Sequence, residues 1–320
     1  MAGPPDPIYP LAGKRVWIVG HGGMVGSALA RRLDDANCTL LTVSRDDLDL
    51  RRQSEVEAWV NANKPQAIFM AAGTVGGIAA NASRPAEFIY DNGAMVTNVV
   101  EAAYQGGVEK LLVLGSSCIY PRLCDQPMHP DMLLSGALEP TNEWYALAKL
   151  MGFKLCQAYR SQYGCDFITA IPANLYGPGD DFDLESGHVV AALLRKTDAA
   201  LTDGDPVTIW GSGEPVRDFL YVDDAADALL FLMQHYSDDA PVNIGSGAET
   251  SIRELAEAVG RAAGFAGDFE FDRSKPDGMP RKRLDASHLA DLGWEATTGL
   301  DEGLSASLAW YRDHKEKFVS

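Results

Sequence analysis

The stretch from Arg15 to Leu33, "RVWIVGHGGMVGSALARRL", constrains this chain more than any other. A short apolar run stops at Gly20; Gly23 and Gly26 follow at intervals of three, and an apolar-periodic helix begins inside the triplet. Strand, tight turn and helix in that order form the opening unit of a doubly wound sheet. Gly20 permits the turn, Gly23 lets backbone approach a pyrophosphate at the helix N-terminus, and Gly26 lets helix and strand pack closely. A sharp turn without a ligand would need fewer of these features at once. The spacing points to a dinucleotide, cradled by Gly20, His21, Gly22, Gly23, Met24, Val25 and Gly26.

The alternation continues. Thr39–Val43, Ala67–Gly73, Leu111–Gly115 and Asp166–Pro172 read as further strands buried on both faces, with helical periods between them at Val25–Asp35 and Met95–Gln105. This pattern predicts an α/β fold: a doubly wound parallel (Rossmann) sheet with right-handed crossovers, binding ligands beyond the carboxyl ends of its strands. After Asn174 the texture turns to Gly- and Asp-rich loops such as "NLYGPGDDFDLESGH" and "SKPDGMPRKRLD". We expect a nucleotide-binding domain over residues 1–174, with strands also contributed from about 205–245. A smaller α/β substrate-binding domain is expected over 175–320. The segment "MAGPPDPIYPLAGKR" reads as a short flexible lead-in without the apolar core of a secretory signal.

The net charge of −18 argues against a nucleic-acid binder, since phosphate neutralisation needs basic surface. An anionic small substrate remains possible if cations are concentrated at its site. The five cysteines show no CxxC pairing, which gives no metal signature and suits a reducing, cytoplasmic setting. No run approaches the roughly 20 apolar residues of a membrane span.

Two constellations carry chemistry. The second strand ends in "SRDD": Arg45 suits the 2′-phosphate of NADP, while Asp46 and Asp47 keep NAD open. In "TNEWYALAK", Tyr145 and Lys149 stand four apart on one helical face. A phenol with an ordinary pKa of about 10 is a poor proton donor-acceptor at neutral pH. A neighbouring ammonium, together with a bound nicotinamide cation, is expected to bring it down. Ser116 or Ser117, at the end of the Leu111–Gly115 strand, could hold the same substrate oxygen.

The order "GHGGMVG", "GSSCIYP", "EPTNEWYALAK", "PANLYGPGD" resembles the extended short-chain dehydrogenase/reductases. More narrowly, with "AAGTVGGIAAN", "WGSGEPVRDFLYVDD", "SKPDGMPRK" and "LGW", nearly the whole chain resembles those that epimerise and reduce GDP-4-keto-6-deoxy-D-mannose. The resemblance implies NADP(H) as cofactor, lined by Leu114, Gly115, Ser116, Ser117, Lys149, Pro172, Ala173, Asn174, Leu175 and His188 besides the glycine cradle and Arg45. It implies Tyr145, Lys149 and Ser116 as reductase residues, Cys118 as the base that takes a proton beside the ketone, and His188 as the acid that returns one. Chemistry agrees: inverting a carbon next to a ketone needs a base, a stabilised enolate oxygen and a second acid. It further implies Lys196, Trp210, Arg217 and Asp277 as GDP-sugar contacts, and a homodimer through the Met95 and Tyr145 helices. A basic residue common in such glycine loops is replaced by Gly22, which leaves Arg45 to carry the NADP preference. A 4,6-dehydratase would be expected to show Asp-Glu at Ser117 and Cys118, and a non-catalytic sensor to have lost Tyr145 or Lys149. His129, His235, His288 and His314 read as surface residues.

Overall fold

A computed structural model describes residues 6–184, 187–275 and 277–318. Five strands alternate with helices in the first half: β1 (Arg15–Val19), α1 (Met24–Leu33), β2 (Thr39–Leu41), α2 (Gln53–Asn63), β3 (Ala67–Met70), α3 (Ile78–Ser83), α4 (Pro85–Gln105), β4 (Lys110–Leu114), α5 (Glu143–Tyr163) and β5 (Asp166–Pro172). They lie in one parallel sheet in the order Val242–Ile244, β5, β4, β3, β1, β2. The order reverses between β1 and β3, so a crevice opens there above the strand ends.

The sheet forms because its inner strands are apolar on both faces. Val16 and Ile18 pack under α1 and α7 (Val222–His235), while Trp17 and Val19 pack under α2 and α4. The expected burial fails at β2. It is three residues long, ends at Leu41 and is part-exposed, because it pairs with β1 alone at the sheet's edge. The lead-in also differs from expectation: Leu11 is fully buried, and the Tyr9 hydroxyl donates to Glu109 and to the Gln66 carbonyl. Residues 1–5 lie outside the described residues.

Past β5 the chain leaves the sheet and returns. Among the described residues of 205–245, Val242–Ile244 joins the sheet; Val207–Trp210 pairs with Phe269–Asp272, and Phe219–Tyr221 with Asn174–Tyr176. A third core gathers α6 (Val189–Asp203), the Ile252–Ala263 helix and the Leu300–Asp313 helix. A small sheet places Val216–Arg217 between Thr250–Ser251 and Arg281–Lys282. Two histidines expected at the surface are half-buried. His235 stacks on Phe231 at 4.6 Å, and His314 stacks on Trp310 at 4.3 Å.

Candidate active site

The glycine loop is built for a close neighbour. A Cβ on Gly26 would overlap the Gly20 carbonyl, and one on Gly20 (φ +87°) would lie 2.7 Å from the Ala72 Cα. The α1 N-terminus begins at Gly23 without a side-chain cap and without an acid in its first turn. Its orphan N–H groups therefore face outward, where an anion is favoured. Space beyond Gly22 is open, and His21 has a buried Nδ1 with no partner in the protein. Uncapped donors, an orphan imidazole nitrogen and a loop that excludes side chains together fit a dinucleotide diphosphate. Arg45 is exposed on the loop after β2, with Ser44 bonded to Asp47 beside it.

The catalytic candidates meet where β4 ends. Lys110–Leu114 is wholly buried, the Gly115 amide still donates to the Ala170 carbonyl at 2.7 Å, and Ser116 then caps a single 3₁₀ turn over Ser117–Ile119. Its Oγ accepts from the Cys118 amide at 3.3 Å. That turn swings Ser116 and Cys118 toward α5, whereas Ser117 is buried. In α5, Ala146, Leu150 and Phe153 face the core, with Tyr145 and Lys149 on the flank nearest β4. Gly152 lets the helix approach, because a Cβ there would lie 3.0 Å from Val96 and 3.2 Å from Val113. Lys149 Nζ can then donate to the Leu114 carbonyl at 3.0 Å, lying 5.7 Å from the Tyr145 ring.

Electrostatics separate these groups. Burial pushes the Tyr145 phenol above its ordinary value, the nearby Cys118 charge adds to this, and Ser116 opposes it. In the protein alone burial therefore dominates the phenol, while Lys149, 5.7 Å from the ring, is itself brought down to about 8 by burial. Burial also raises the Cys118 thiol, but Lys282, Ser116 and His188 outweigh it and the thiol ends below its usual range. His188 caps α6 by position, yet its ring turns to Asp180: Nδ1 lies 3.2 Å from a carboxylate oxygen of that buried residue. The Asp180 hydrogen bond raises the imidazole against its burial, with further help from Cys118 and Asp181. A thiol held below its usual range therefore lies near an imidazole held above its own.

Cys118 has Ser116, Tyr145, His188 and Arg217 as neighbours, and Ser116 also reaches Tyr145, with Lys149 behind. Arg217 Nη1 donates to the Val216 carbonyl at 2.8 Å, and its guanidinium is near enough to feel the Cys118 charge. Leu114, Pro172 and Ala173 are buried at the ends of β4 and β5, and Leu175 is half-buried just beyond. The Asn174 side chain is committed to the Asp218 carbonyl at 3.0 Å. Trp210 is 63% exposed with Lys275 5.3 Å from its ring, presenting a flat apolar face. Lys196 Nζ donates to the Thr208 carbonyl at 3.0 Å, two residues before Trp210 on the same strand. Asp277 binds the Ser212 amide at 2.6 Å and hydroxyl at 2.9 Å, clamping the turn after Trp210. Its carboxylate is therefore engaged within the protein.

Three residues at the site escape sequence reasoning. Asp180 lies inside a motif whose loop conformation hides which acid faces His188. Asn142 Nδ2 donates to Cys118 Sγ at 3.1 Å, and Lys282 Nζ approaches the same sulfur at 3.5 Å from 164 residues away. Both stand in quoted motifs, but nothing local marks them.

The NAD dependent epimerase/dehydratase family matches residues 16–245. The chain is 56% identical over 315 residues to a GDP-L-fucose synthase of Sinorhizobium fredii, covering 98% of each. It is 44% identical to the GDP-L-fucose synthase of Escherichia coli, covering 95% of this chain and 98% of that one. A GDP-L-fucose synthetase from Naegleria fowleri, solved bound to NADP, superposes with a TM-score of 0.91 at 28% identity over 98% of both chains.

Proposed function

We infer that this chain, which belongs to the NAD dependent epimerase/dehydratase family, makes GDP-L-fucose from GDP-4-keto-6-deoxy-D-mannose. It is an NADP-dependent oxidoreductase with epimerase activity, inverting C3 and C5 and then reducing C4. The observation that carries this reading is that Cys118 has both His188 and Tyr145 as neighbours, with Ser116 bonded beside it. Reduction alone has no use for a lowered thiol near a raised imidazole.

The residues divide the work. Cys118 takes a proton from the carbon beside the C4 ketone, and the Ser116 hydroxyl and Tyr145 phenol hold the enolate oxygen. His188, protonated through Asp180, returns a proton to the opposite face. Positioned acid–base groups of this kind contribute on the order of 10²–10⁴ each. NADPH, when bound, supplies the hydride for C4. Tyr145 gives its proton to the C4 oxygen, and a raised phenol keeps that proton until charge develops there. Lys149 stays against the Leu114 carbonyl, where it holds the phenol's flank and the cofactor's ribose side.

The glycine cradle holds the cofactor diphosphate and Arg45 its 2′-phosphate. The region to about residue 174, with Val242–Ile244, serves the cofactor, and 175–320 mainly serves the GDP-sugar. Arg217 meets the sugar diphosphate, Trp210 stacks a ring, and Lys196 supports that side. Asp277 reaches the ligand through the turn it clamps. Ile89 and Tyr90 on α4 and Trp144, Leu147 and Met151 on α5 are exposed apolar side chains on two packed helices, which supports a homodimer through them. Five unpaired cysteines support a reducing cytoplasm.

The test is direct. Incubated with GDP-4-keto-6-deoxy-D-mannose and NADPH, the protein yields GDP-L-fucose, identified by NMR of the sugar ring; a product of unchanged C3 and C5 configuration would refute the reading.

A further inference from the structure

Cys118 has a neighbour that the epimerase chemistry above does not use. The Arg281–Lys282 strand runs parallel to Val216–Arg217 with Lys282 opposite Arg217. The segment before it is pinned by Asp277 on Ser212, and the segment after it by the Met128–Leu284 bridge. Lys282 Nζ is thereby brought to 3.5 Å from Cys118 Sγ, while Asn142 Nδ2 donates to the same sulfur at 3.1 Å. An ammonium and an amide on one half-buried sulfur suit a thiolate; a neutral thiol, a weak acceptor, would leave both donors poorly satisfied.

Resting on the function proposed above, we propose that Lys282 is the positioning residue that holds Cys118 as a thiolate and so sets the pH range in which the epimerising base is available.

The other charged and titratable groups facing the sulfur cannot replace it. Tyr145, from α5, is a neutral phenol raised by that same thiolate. His188, from the start of α6, is paired with Asp180 and loses its charge when it gives up its proton. Arg217 donates to its own strand and is not among the main influences that lower the thiol. Ser116, on the cysteine's own turn, carries no charge. Lys282 alone of these keeps its positive charge through the cycle while touching the sulfur. Burial raises the thiol, and the ammonium is the largest influence that lowers it. An opposite charge at such a distance stabilises an ionised group by roughly ten- to a thousand-fold in its ionisation constant. Arginine would serve in part, methionine or glutamine would not.

The readout needs no sugar. Iodoacetamide reacts with the thiolate, and peptide mass spectrometry separates Cys118 from Cys38, Cys124, Cys156 and Cys165. With the full-length protein, Cys118 alkylation persists well below pH 8. In Lys282→Met it falls at least about tenfold at pH 7 and recovers by about pH 9.5; in Lys282→Arg most of the rate remains. Solvent-deuterium uptake into the sugar follows the same pH shift, while NADPH binding, read by fluorescence, is unchanged. If Lys282→Met does not fold, Lys282→Gln removes the charge at similar length. Superimposable alkylation profiles for wild type and the neutral variants would overturn the proposal. So would an Arg variant as slow as Met, since the side chain's shape and not its charge would then matter. If the alkylation shift appears but wild type fails to convert GDP-4-keto-6-deoxy-D-mannose, the assigned activity fails and the thiolate's dependence on Lys282 stands.

Discussion

His188 points its Nδ1 at Asp180 across 3.2 Å, and Asp180 is a buried carboxylate on the loop that leads into α6. The pair favours the protonated imidazole. The consequence for stability has a definite sign: a histidine raised in the fold strengthens it below the unfolded value of about 6.5, and that gain is lost as pH climbs through the raised folded value.

Replacing Asp180 by Asn tests this. The variant is expected to lose more melting temperature at pH 6 than at pH 8.5. The alkaline limb of solvent-deuterium exchange moves to lower pH, with roughly a tenfold slower exchange near pH 7.5. Equal destabilisation at both pH values would contradict the pairing.

Lys149 illustrates function working against stability. Burial lowers it to about 8, so the fold carries a penalty that is full below about pH 8 and vanishes as pH passes the unfolded value near 10.4. Lys149→Met is expected to stabilise the protein by about 1–3 kcal/mol at pH 7, less the bond lost from Leu114, and by nothing near pH 10.5. Reduction collapses at the same time. Thermal melts at the two pH values check it; a lower melting temperature at pH 7 would mean that the bond to Leu114 outweighs burial.

Gly26→Ala places a methyl against the Gly20 carbonyl, and the backbone must move. Overpacking of this kind costs about 1–3 kcal/mol. Because the displaced atoms belong to the cradle proposed for the cofactor, NADPH affinity is expected to fall by more than tenfold; unchanged NADPH titrations would contradict the assigned cradle.

Arg45→Ala is expected to raise KM for NADPH about tenfold and leave KM for NADH unchanged, if the exposed guanidinium serves the 2′-phosphate as proposed. Initial rates with both cofactors decide it. Equal effects on the two would remove Arg45 from cofactor choice.

Much of the fold was readable because its signals are local. The glycine triplet, the apolar β3 and β4 and the Tyr145–Lys149 spacing each specify themselves within a few residues. The edge position of β2 was not readable, as "TLLTV" looks like an inner strand and exposure depends on which strand it pairs with. In the protein alone the Tyr145 phenol is raised by burial, a property of the packed helix and strand that their spacing does not reveal. The surroundings of Cys118 lay further out of reach. Lys282 arrives through pairing with Val216–Arg217, a contact between strands whose paired residues Arg217 and Lys282 stand 65 apart in sequence. A sequence offers the acid–base residues; the partners that set their protonation come from tertiary register.

The central claim is that one thiol serves as the base for epimerisation beside an intact reductase site. Running the reaction in deuterium oxide with GDP-4-keto-6-deoxy-D-mannose tests it most directly. Wild type is expected to place solvent deuterium at C3 and C5 of the product, and Cys118→Ser to place none while still binding NADPH. Normal deuterium incorporation by Cys118→Ser would contradict the account.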